Sequence, residues 1–96
     1  MSPKNKKKLN IIRVKLDKLD NKLLSLIKYR TDLVKEVLKL KEFKKEIVDQ
    51  KRIDSILNEI KTKSKKLKID PKITNRIWKN MIWSYIDYER RNFKKK

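Results

Sequence analysis

"IIRVKLDKLDNKLLSLIKYRTDLVKEVLKLK", residues 11–41, decides the fold. Apolar residues step through it by three or four: Ile12, Leu16, Leu19, Leu23, Ile27, Val34 and Val37. That spacing keeps them on one face of an α-helix. The same line passes through Arg30 and ends at Lys41. Eleven helical steps return to within about 20° of the start, so Arg30 and Lys41 project from one face, about three turns apart. The pattern predicts a helix from about Lys8 to Lys44, which at 1.5 Å per residue is about 55 Å long. Two shorter helices of the same chain are too short to cover it. A second copy of the chain is the natural cover.

Few residues interrupt the rest of the chain, which has no glycine and two prolines. In "VDQKRIDSILNEI", residues 48–60, Asp49 is placed to cap a second helix, with Ile53, Ile56, Leu57 and Ile60 as its apolar face. The pattern fades in the polar "KTKSKK". A third helix starts at "IDPKI", with Asp70 as cap and Pro71 at the first helical position, where a missing N–H costs nothing. Its expected buried side is Ile73, Ile77, Trp78, Met81, Ile82 and Tyr85. No strand pattern survives, so the class is all-α: one long helix, one short and one medium.

Composition removes several chemistries. The 96 residues contain no cysteine and no histidine, so thiolate metal sites, cysteine nucleophiles and the commonest general base are absent. Without glycine there is no Gly-rich phosphate loop. No apolar run is long enough to span a bilayer. "MSPKNKKK" has no hydrophobic segment after its lysines, so it does not read as a secretory signal, and a cytoplasmic protein is expected. The net charge of +18 invites a nucleic-acid reading. Half of that excess sits in residues 1–9 and 90–96. AT-rich codons would also produce a Lys-, Ile- and Asn-rich chain with no functional demand.

The informative charges are those in line with apolar faces. Arg30 and Lys41 are two of them. Arg13 lies beside Ile12, and Arg52 falls in the first turn of the second helix. Glu89 extends the stripe Trp78, Ile82, Tyr85 by four residues. Snorkelling, with stems on apolar surface and heads in water, accounts for any one cation alone. A pair of Glu89 with Arg52 or Lys41 accounts for two more charges. The surplus is positive and suits a small dianion, because arginine grips a carboxylate through two parallel hydrogen bonds. With no nucleophile, metal or cofactor site in view, the matching chemistry is a unimolecular rearrangement. It needs only a held conformer and stabilised charge.

These stretches resemble the all-α (AroQ-type) chorismate mutases over about residues 9–92. The segment 11–41 is similar to the family's first helix: an Arg, "LD" motifs, a second Arg, and a Lys eleven later. "VDQKRIDSIL" is similar to the start of its second helix, Asp-x-x-Arg. "IWKNMIWSYIDYE" is similar to its third, which carries a Gln or Glu eleven residues after an aromatic. The resemblance implies an intertwined homodimer with sites shared between chains and no cofactor. It makes residues 1–8 and 93–96 basic tails around a 9–92 domain. It implies that Arg13 reaches into the partner chain's site to hold one substrate carboxylate, while Arg30 holds the other. Lys41 would donate to the ether oxygen of the breaking bond. Asp49 and Arg52 would line the pocket near the ring hydroxyl and carboxylates. Glu89 stands where many members have Gln, a second donor to that oxygen. A Glu donates only when protonated, so activity is expected to rise toward acid pH.

Two positions depart from the mutase pattern. Ile53 stands where the family usually has a Glu that contacts the ring hydroxyl, and Tyr85 where it often has Ser. Both resemble the isochorismate pyruvate lyases of the same fold, whereas Asp49 resembles the mutases. Drift to an apolar core neighbour also accounts for Ile53. Mutase is the leading expectation, lyase the alternative. A basic helical nucleic-acid-binding protein and a regulatory module that lost its chemistry stand behind them.

Overall fold

A computed structural model describes residues 1–94. Its order is α1 (Pro3–Leu40), a 3-10 turn (Lys44–Glu46), α2 (Gln50–Lys66) and α3 (Pro71–Asn92). Among the described residues there is no strand, so the all-α expectation with three helices holds. The chain divides into two units, Met1–Leu33 and Val34–Lys96.

The first unit is helical from Pro3, five residues before the predicted start. Ser2 is the reason. Its hydroxyl accepts the Asn5 N–H at 3.2 Å and its carbonyl the Lys6 N–H at 2.9 Å. Pro3, the first helical residue, has no N–H to satisfy. Farther along, Lys28 pairs with Asp32 at 2.7 Å, one turn away; such exposed pairs add a few tenths of a kcal/mol, roughly. The whole stripe Ile12, Leu16, Leu19, Leu23, Ile27 is exposed, and no residue of α1 is buried.

In the second unit α1 ends at Leu40, four residues before the predicted end. Both later caps form as expected. Asp49 accepts the Arg52 N–H at 3.0 Å, and Asp70 accepts the Lys72 N–H at 3.0 Å ahead of Pro71. The polar "KTKSKK" does not end α2, which continues to Lys66. It closes there because Lys68 enters the left-handed region, at φ 59°. The Ile69 N–H then reaches the Ser64 carbonyl at 2.9 Å and the Lys68 N–H the Lys65 carbonyl at 3.2 Å. This is the Schellman closure, built on lysine in a chain without glycine.

Helices α2 and α3 pack on each other. Their core is Ile47, Ile53, Ile82 and Ile86, flanked by Val48, Ile56, Leu57 and Phe93. At the turn end a buried hydroxyl pair ties them, Ser64 Oγ to Thr74 Oγ1 at 2.7 Å, with Ser64 also donating to the Ile60 carbonyl at 2.6 Å. On α3 the buried line is Thr74, Ile82, Ile86 and Glu89. Ile73 and Ile77, expected inside, are 56% and 51% exposed. The helix turns its 74–82–86–89 edge to α2, so the flanking 73–77 edge faces outward. Trp78, Met81 and Tyr85 lie between the two and are half-buried.

Candidate active site

Lys41 follows the last residue of α1, and its N–H still donates to the Leu38 carbonyl at 3.2 Å. It is one of the two cations of the opening stretch. Its side chain meets Glu89, on the last turns of α3. Lys41 Nζ lies 3.0 Å from Oε2 and 3.2 Å from Oε1. The side chains are 18% and 7% exposed. Of the two partners open to Glu89, Arg52 and Lys41, the fold selects Lys41. Among the described residues no buried side-chain nitrogen or oxygen lacks a hydrogen-bond partner. Glu89 is thus a buried acid held by one lysine. Removing one member of such a pair typically costs about 3–5 kcal/mol, because a charge is left uncompensated.

The other expected residues fall in different places. Asp49 and Arg52 stand together at the start of α2, but through the cap: the Asp49 carboxylate takes the Arg52 backbone N–H, and the guanidinium is exposed. Ile53, one residue on, is 6% exposed and belongs to the apolar core. Tyr85 sits one turn before Glu89 and is half-buried. Arg13 and Arg30 belong to the Met1–Leu33 unit, where Arg13 is exposed and Arg30 half-buried.

One residue escaped the sequence reading. Glu46 accepts the Phe43 N–H at 2.8 Å and the Glu42 N–H at 3.2 Å. It therefore organises the loop between Lys41 and Asp49. The available signal was an acid three residues after an extended residue, the spacing of a capping box. Phe43 instead of Ser or Thr at the first position hid it.

Chemically, a lysine beside a buried acid offers a cation with three N–H donors and a carboxyl that donates only when protonated. Among the described residues no helix is long and apolar enough to cross a membrane. Comparison with curated proteins and with solved structures yields no match. The family model of chorismate mutase type II matches residues 12–90. That span takes in Arg13, Arg30 and Lys41, the Asp49–Arg52 cap and Glu89, and on it the chain belongs to the chorismate mutase type II family, a family of isomerases.

Proposed function

We propose that the chain catalyses the intramolecular rearrangement of chorismate to prephenate, in cytoplasmic phenylalanine and tyrosine biosynthesis, as a homodimer with sites shared between chains. The observation that carries this reading is the Lys41–Glu89 pair. It is a buried cation and acid on one contact, in a chain whose family acts on chorismate. The reaction breaks an ether C–O bond as a C–C bond forms, and charge develops on the ether oxygen. Lys41 donates to that oxygen, and Glu89, in its acid form, donates to it a second time. Arg30 grips one substrate carboxylate. Arg13 of the second chain grips the other. Arg52 and Asp49 hold the ring end. The residue 9–92 domain carries all of these.

The dimer is supported by α1, whose apolar stripe has no cover within its own unit. Ile53 weighs little toward the lyase, because its side chain is accounted for by the core formed with Ile47, Ile82 and Ile86. Tyr85 remains the lyase-like feature that faces away from such an explanation.

The test is an end-point assay of the purified protein with chorismate and, separately, isochorismate, products being identified by chromatography. Prephenate from chorismate is the expected result. Salicylate with pyruvate from isochorismate, and little prephenate, would move the assignment to the lyase. No product from either would leave a binding or regulatory protein.

A further inference from the structure

The loop "EFKKEIVD", residues 42–49, separates Lys41 from Asp49 and has to hold both. An exposed lysine-rich loop without proline has little to stiffen it. Two anchors do so here. Ile47 is buried at 3% exposure in the core. Ahead of it, the Glu46 carboxylate takes two successive backbone N–H groups, Phe43 at 2.8 Å and Glu42 at 3.2 Å. Hydrogen bonds from N–H to an ionised carboxylate are among the stronger ones. These are the first two amides after Lys41. The clamp therefore fixes the direction in which the backbone leaves α1, from the very next peptide onward. The turn closes behind it, with the Glu46 N–H on the Phe43 carbonyl at 3.0 Å and the Ile47 N–H on that of Lys44 at 3.1 Å.

We infer that Glu46 is a positioning residue for Lys41: by holding the Glu42 and Phe43 amides it sets the backbone from which Lys41 reaches Glu89 and the reacting ether oxygen. The inference rests on the mutase reading for its kinetic consequence, and on geometry alone for the rest. A displacement of about 1 Å in a catalytic group can cost up to roughly 100-fold in rate. Glu46 touches no reacting atom, so its effect must pass through Lys41.

The experiment compares wild type, Glu46→Ala, Glu46→Gln, Lys41→Ala and the double variant Lys41→Ala/Glu46→Ala, in chorismate turnover and in urea unfolding. Glu46→Ala is expected to lower kcat/KM by roughly 10- to 100-fold, mainly in kcat. Glu46→Gln, which keeps an acceptor oxygen, should restore most of that loss. In the Lys41→Ala background, Glu46→Ala should cost nothing further. Equal losses in both backgrounds, or full activity of Glu46→Ala, would overturn the inference. If the wild type shows no turnover, the mutase reading fails and unfolding decides this one. The urea-midpoint shifts of Lys41→Ala and Glu46→Ala should then be non-additive, because the Lys41–Glu89 contact depends on the clamp. Additive shifts would reject the positioning role.

Discussion

Lys41 Nζ and the Glu89 carboxylate contact each other through both oxygens, at 3.0 and 3.2 Å, across 48 residues of sequence. The contact joins the residue that follows α1 to the last turns of α3. It also sets a limit on mechanism, since a carboxylate occupied by a lysine only accepts hydrogen bonds. For Glu89 to donate, it has to carry a proton.

The first prediction is a pH dependence. Because Glu89 donates only when protonated, kcat/KM for chorismate should rise toward acid. Glu89→Gln supplies an amide donor at every pH and should flatten the profile. A wild-type rate that is level from acid to neutral would contradict the role given to Glu89.

Removing either stripe cation should stop most of the reaction. Arg30→Ala and Lys41→Ala are each expected to lower kcat roughly 100- to 1000-fold, the usual loss for one preorganised charge contact. Lys41→Ala should also destabilise the fold, since Glu89 is left buried and unpaired. Lys41→Met combined with Glu89→Leu should recover stability without recovering activity. Near-wild-type turnover in Arg30→Ala, measured by prephenate formation, would show the pocket assignment to be wrong.

Lys68 at φ 59° predicts a gain of stability. A residue with a Cβ in this region costs about 1–2 kcal/mol, a penalty glycine does not carry. Lys68→Gly should raise the thermal midpoint by a few degrees. Lys61→Gly, in the interior of α2, should lower it, through a loss of about 1 kcal/mol of helix propensity. Shifts of the same sign in both variants would disprove the role of the left-handed position.

The dimer is tested on the α1 stripe. Leu23→Glu places a carboxylate among Leu19, Ile27 and their neighbours, all exposed within the chain. Sedimentation should show a monomer, and turnover should vanish. For the wild type, the thermal midpoint should rise with protein concentration, as mass action requires of a folded dimer. A concentration-independent midpoint and an active Leu23→Glu variant would end the dimer proposal.

What the sequence made legible was local. Asp49 before "QKR" and Asp70 before Pro71 cap their helices through side chains two or three residues away, so the spacing alone announced them. The Ser2–Pro3 cap is equally local, but the lysines that follow it carry no apolar periodicity to mark a helix start. The end of α1 was not readable, because it is set by Glu46 reaching back to amides rather than by a breaker residue. The choice of Lys41 over Arg52 as partner of Glu89, and of the Ile82–Ile86 edge over Ile73–Ile77 as the buried side of α3, depends on how α2 and α3 rotate against each other. Periodicity alone offers several adjacent faces and does not rank them.

Because no residue of α1 is buried, the order of synthesis runs against the order of cover. Helix α1 leaves the ribosome before α2 and α3, so neither can shelter it at that stage. The core of Ile47, Ile53, Ile82 and Ile86 is complete only after α3 emerges. At typical elongation rates of about 5–20 residues per second, the α1 stripe is out for several seconds before that point. During that interval its helicity has to come from its own backbone and from pairs such as Lys28–Asp32. The lysines that crowd α1 surround that exposed strip of leucine and isoleucine with charge.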